Sequence, residues 1–130
     1  LIVVDSSALL AIFFDEPEAG AFAAAIVSAD GAKLGAPNLL EASMIVENRM
    51  GEMGCRELDA LIAGLGVEVV GLESNHITAG RIAFRRYGKG RHPAALNFGD
   101  CCAYALAKTL DAPLLFKGND FVRTDIKRLI

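Results

Sequence analysis

Leu1–Leu10 reads LIVVDSSALL: four apolar residues, three of them β-branched, run into Asp5, and two serines then open a second apolar stretch. An uninterrupted apolar run of this kind suits a strand buried on both faces, the central strand of a parallel sheet. Such sheets bind ligands beyond the carboxyl ends of their strands, near the point where strand order reverses. Asp5 stands at that place. Aspartate is also a good N-cap for a helix that follows a strand, so these ten residues leave Asp5 as either a cap or a site residue.

The pattern after Asp5 alternates helix and strand. Ser7 to Phe14 reads as a short helix, and Glu16-Pro17-Glu18 as the start of a second one that continues through the alanine-rich Ala19 to Ser28. Asp30-Gly31 marks a turn and Lys33 to Ala36 a second strand. Pro37-Asn38 opens a helix to about Met50. Gly51 and Gly54 break the chain, and Cys55 to Leu65 resumes a helix closed by Gly66. Val67 to Leu72 is a third strand, and Ser74 caps a helix running to about Tyr87. Gly88 to Asn97, GKGRHPAALN, is a loop. Phe98 to Leu110 is apolar around most of its circumference, which marks a buried helix. A turn at Asp111-Ala112-Pro113 leads to a fourth strand, Leu114 to Phe116, then a turn at Lys117 to Asp120. Phe121 to Thr124 reads as one helical turn, and Ile126 to Ile130 as a final edge strand. Strands separated by helices indicate an α/β fold in three layers, α/β/α, around a mainly parallel sheet of four to five strands, with residues 1–130 as one domain.

Composition narrows the class. With 130 residues, 53% hydrophobic and 22% charged, the chain is globular rather than disordered. No apolar run approaches the roughly 18 residues of a membrane span, and the opening stretch lacks the basic start of a signal peptide. Cys55, Cys101 and Cys102 form no CxxC pair, so neither a disulfide framework nor a zinc site is expected, and they read as small apolar residues of a cytoplasmic protein. His76 and His92 read as surface residues. Charge is divided: Leu1 to Asn75 carries three basic and twelve acidic residues, net −9, whereas His76 onward carries ten basic and four acidic, net +6. The second part could attract a polyanion, or the two fields could meet across a dimer interface.

Four acids recur at one kind of place: Asp5 after the first strand, Glu41 in the first turn of a helix, Asp100 at a helix start, and Asp120 after the fourth strand. Each has a plain structural reading. Asn38-Leu39-Leu40-Glu41 looks like a capping box, Asp100 suits the positive end of a helix, and Asp120 follows Gly118-Asn119 in ordinary turn chemistry. Taken together they form a pattern. Carboxylates beside strongly apolar segments suffer desolvation, and several at close range repel one another. A divalent cation relieves both, and oxygen donors without His or Cys point to Mg²⁺ or Mn²⁺ and to phosphate chemistry.

VVDSSALLA, PNLLEAS, LNFGDCCAYALA and LLFKGNDFVRTDI occur in the order and spacing of the PIN-domain ribonucleases, and the sequence resembles their VapC branch, the toxins of bacterial toxin–antitoxin pairs. The block RYGKGRHPAALNFGD is similar to one VapC subgroup. The resemblance implies that Asp5, Glu41, Asp100 and Asp120 hold one or two Mg²⁺ or Mn²⁺ ions and cleave an RNA phosphodiester through activated water. It also implies a homodimer, restrained by a VapB-type antitoxin whose C-terminal segment enters a groove leading to the acids. Ser7 matches a small polar supporting position. Many relatives carry an acid just before or two before the Asp-Phe pair, where this chain has Asn119 and Gly118, so Asn119 and Asp125 stand as substitutes or helpers for the fourth ligand. Arg85, Arg86, Lys89 and Arg91 form a basic strip suited to RNA phosphates, or else belong to a solvated, mobile loop.

Other classes fit less well. Haloacid-dehalogenase-like phosphatases require a second Asp where Ser7 stands, and receiver domains an acidic pair where Val4-Asp5 stands. The remaining alternative is a PIN-fold protein-binding module with an idle site.

Overall fold

The computed structural model describes all 130 residues. Its elements are β1 (Ile2–Val4), α1 (Ser6–Phe13), α2 (Ala19–Ser28), β2 (Ala32–Gly35), α3 (Ala36–Leu65), β3 (Val67–Val70), α4 (Ser74–Tyr87), α5 (Phe98–Leu110) and β4 (Leu114–Leu115). The strands pair in the order β3-β2-β1-β4, all parallel, with Ile2 beside Ala32, Val3 beside Leu114 and Ala32 beside Val67. β1 is therefore central, and strand order reverses between β1 and β4.

Side chains alternate across a strand, and β1 shows why its run is apolar throughout. Ile2 and Val4 face a core shared with Leu9 of α1, Phe22 of α2 and Val46 and Leu58 of α3. Val3 faces the opposite core with Tyr104 and Leu106 of α5, Leu114 and Phe116. Helices thus cover both faces of the sheet, as the opening stretch predicts. No helix is long and apolar enough to cross a membrane, and all three cysteines are free.

α3 is a hairpin of two helices. Gly51 adopts φ 70°, ψ −166°, a conformation that favours glycine. Cys55 Sγ lies 3.4 Å from the Ser43 carbonyl, although twelve residues of straight helix would span about 18 Å. The break predicted near Gly51 is present, but Gly54 does not share in it. Gly54 is helical and buried, and a Cβ there would stand 2.6 Å from Met50 Cβ and 2.9 Å from Val46 Cγ1. Its role is close packing.

Other local expectations change. α4 is capped by Glu73 rather than Ser74, and the Glu73 N–H donates to His76 Nδ1 at 2.8 Å, so half-buried His76 is part of the cap. The loop 88–97 is tied down: Lys89 N–H donates to Leu96 O at 3.0 Å and Leu96 N–H to Tyr87 O at 2.9 Å. Within it His92 accepts from the Ala94 N–H and meets the Tyr87 ring edge-on. Residues 121–124 form i,i+3 turns instead of a helical turn. Ile126 to Ile130 is not a strand; it makes one bridge, between Arg128 and Leu114, because β4 is only two residues long. The sheet has four strands.

Candidate active site

β1 delivers Asp5 to the carboxyl edge of the sheet, where it N-caps α1. Asp5 Oδ2 accepts from the Ser7 N–H at 3.0 Å and from the Ser7 hydroxyl at 2.5 Å. Ser7 Oγ also accepts the Lys117 N–H at 3.0 Å, which ties the end of β4 to the same spot. The capping reading therefore accounts for one oxygen of Asp5, and Oδ1 carries no protein hydrogen bond. The residue is only 4% exposed. Burial pushes its carboxyl up to about 6, against the opposing Ser7 hydrogen bonds, with repulsion from Glu41 and Asp120 adding to the rise.

Asp100 follows the same plan on α5. Its Oδ2 accepts the Asn97 N–H at 3.1 Å while its own N–H donates to Asn97 Oδ1 at 2.9 Å, a capping box. Oδ1 is again uncommitted. Burial raises this carboxyl to about 7, opposed by the Asn97 bond and reinforced by Asp120, Asp5 and Glu41.

Glu41 departs from its predicted setting. α3 is capped at Gly35 with Pro37 in its first turn, so Glu41 lies in the second turn, beyond reach of the helix start, and makes no capping box. It accepts from the Ser6 hydroxyl at 2.7 Å through Oε1. Its carboxylate rests against Gly99, where an added Cβ would come within 2.6 Å of Oε2. Asp120 is exposed on the turn after β4, yet its charge bears on both Asp5 and Asp100. The four acids share one field although they come from four parts of the chain.

The candidates for completing the set separate. Asn119 is exposed beside Asp120, its carbonyl accepting the Val122 N–H. Both oxygens of Asp125 are engaged by other side chains. It accepts from the Tyr104 hydroxyl at 2.5 Å and the Lys108 ammonium at 3.0 Å. Burial alone would raise it, but these two bonds and the Lys108 charge outweigh burial and hold it below the usual range.

An oxygen-only donor set with free Oδ1 atoms on two buried aspartates suits a hard cation such as Mg²⁺ or Mn²⁺. No three acidic, His or Cys side chains stand close enough to hold a metal ion by themselves; Mg²⁺ ordinarily keeps several of its waters and is held by only one or two carboxylates. Ser6, Asn38 and Gly99 make contacts here that the sequence does not announce: Ser6 stands out only as the neighbour of Ser7, and Asn38 reads as a cap.

The basic strip is divided. Arg85 and Arg91 join Arg81 around a hollow of about 580 Å³ between α4 and α5, floored by Phe84, Phe98 and Cys101. The Arg91 guanidinium lies over the Phe84 ring at 5.0 Å. Arg86 acts instead on Tyr104, and Lys89 is exposed on the loop. A second hollow, about 860 Å³, runs from Glu41 past Leu40 and Met44 and shares Leu72 and Phe98 with the first.

Residues 2–127 match the family model described as the PIN domain. The sequence is 46% identical over 125 residues to Ribonuclease VapC30 of Mycobacterium tuberculosis, covering 96% of this chain and 95% of that protein. The chain belongs to the VapC ribonuclease branch of the PIN-domain family. It is 45% identical over 125 residues to Ribonuclease VapC of Mycolicibacterium smegmatis, covering 96% of this chain and 97% of that one. The fold also matches the crystal structure of M. tuberculosis VapC20, a sarcin–ricin loop cleaving toxin, with TM-score 0.78 at 16% identity over 99% of this chain and 98% of that one. A chain of a toxin–antitoxin complex from Klebsiella pneumoniae aligns with TM-score 0.71 at 13% identity, covering 96% and 93%. At those identities the likeness is one of fold. PIN-domain membership accords with the three-layer parallel sheet and with the order of the acidic motifs.

Proposed function

We propose that this chain is a Mg²⁺- or Mn²⁺-dependent endoribonuclease toxin of the VapC type, with Asp5, Glu41, Asp100 and Asp120 as its acidic site. The observation that carries this reading is the shared field of the four carboxylates. Two of them are buried and raised to about 6 and 7, a costly arrangement unless positive charge enters. A bound divalent cation would supply activated water and stabilise charge on the leaving oxygen. The chain's own groups hold the donors in place: Ser7 orients Asp5, Ser6 orients Glu41, and Asn97 orients Asp100. Arg85 and Arg91, with Arg81, would contact phosphates of single-stranded RNA without reading its sequence.

Partners follow from the same reading. A VapB-type antitoxin would restrain the enzyme in the cytoplasm, and a homodimer would cover the apolar face on which Leu40 (63% exposed), Met44 (61%) and Phe98 (77%) stand open. The deciding experiment incubates the protein with structured RNA and Mg²⁺ or Mn²⁺, with and without EDTA. Cleavage that depends on the cation and disappears in Asp5→Asn is expected. Cleavage that survives both chelation and that substitution ends the proposal, and absence of both metal binding and cleavage leaves an idle PIN-fold binding module.

A further inference from the structure

Asn38 is 1% exposed and sits in α3, three residues before Glu41 and so on the same side of the helix. Its Nδ2 donates to the Gly99 carbonyl at 3.0 Å. Its Oδ1 is buried with no partner. The amide cannot be turned round, because Oδ1 would then face the Gly99 carbonyl, acceptor against acceptor. An apolar side chain of similar size would leave no orphaned acceptor and would suit the surroundings better. Gly35 makes room for the amide, since a Cβ there would stand 3.0 Å from Oδ1. Stability alone gives no reason for an asparagine here.

What the bond holds is the first turn of α5. Gly99 immediately precedes Asp100, and the Glu41 carboxylate is pressed against the same glycine. One amide-to-carbonyl bond therefore fixes the segment that carries one acid and seats another. We propose that Asn38 is a positioning residue that sets the separation of Glu41 and Asp100 and, through it, the affinity of the acidic site for a divalent cation. This rests on the metal-site reading given above.

The test is a four-way calorimetric titration of the full chain with Mn²⁺: wild type, Asn38→Leu, Glu41→Gln and the double variant, with melting temperatures in EDTA. Partners that orient metal ligands are commonly worth about 10- to 100-fold in affinity. Asn38→Leu is expected to weaken Mn²⁺ binding at least about tenfold while melting no lower than wild type. In the Glu41→Gln background the same change should cost clearly less than in wild type, since only Asp100 is left to be held. Should Asn38→Leu melt well below wild type, Asn38→Ala takes its place in the same cycle. Wild-type affinity in the Asn38 variant, or an equal loss in both backgrounds, overturns the inference alone. A wild-type protein that binds no Mn²⁺ overturns the metal-site reading as well.

Discussion

Replacing Asp5 by Asn removes a buried charge while keeping an N-cap that is about as good as aspartate. The Asp5 carboxyl moves from an ordinary 3.8 to about 6 on folding. At about 1.4 kcal/mol per tenfold change in proton affinity, the ionised form costs the metal-free fold about 3 kcal/mol. The sign follows from proton binding. Between pH ~4 and ~6 the folded state holds more protons than the unfolded one, so stability falls as pH rises through that window. The deficit is absent below about pH 4 and complete by about pH 8. An unfolding entropy of about 2.1 cal/mol/K per residue, over 130 residues, converts 3 kcal/mol to about 10 °C, and local relaxation can halve this. In EDTA at pH 8, Asp5→Asn should therefore melt about 5–10 °C above wild type, with the gap closing near pH 4. Saturating Mn²⁺ should raise the wild type, by about 2.7 kcal/mol at a hundredfold excess over Kd, and leave the variant unmoved. Differential scanning calorimetry at pH 4, 6 and 8 reads all of this. A variant that melts below wild type at pH 8 would show that the Ser7 contacts outweigh the burial of charge, and the reasoning would fail.

Gly99→Ala sets a methyl group against the Glu41 carboxylate and should reduce cleavage at least about tenfold with a change in melting temperature of only a few degrees; steady-state cleavage beside a thermal melt checks it. Arg85→Ala with Arg91→Ala removes two phosphate contacts, so RNA affinity should fall and the salt dependence of binding flatten by about 1.4 in log–log slope, whereas Arg86→Ala should change neither. Gly51→Ala forces a side chain into a positive φ and should destabilise the fold by more than about 1 kcal/mol, read as a lower urea midpoint with unchanged slope.

Much of the architecture could be read from residue order because burial on both faces leaves a plain mark. LIVV is apolar at every position since Ile2 and Val4 enter one core and Val3 the other. Gly51 announced its turn through a backbone angle that other residues resist. Asp5 and Asp100 stand out in the sequence as carboxyl groups beside apolar segments, whereas Glu41 reads there only as part of a helix cap. Contacts between distant segments are not legible there. Nothing local says that Asn38 reaches Gly99 across 61 positions, or that Ser6 rather than a helix end receives Glu41. Arg85 and Arg86 are neighbours in sequence, but successive helical residues point about 100° apart, which is why only one of them lines the hollow. The tail from Ile126 has the composition of a strand, but β4 is too short to pair with more than one of its residues.

Asp5 and Asp100 each spend Oδ2 on starting a helix and leave Oδ1 without a protein partner. Chemistry and architecture therefore part at the level of a single atom. If the proposed site is right, exchange of that one oxygen for an amide nitrogen should disarm the protein and leave its scaffold standing. Dormant descendants of such a chain should thus be recognisable by asparagine at positions 5 and 100, and an apolar residue there should mark a lineage that rebuilt both helix starts.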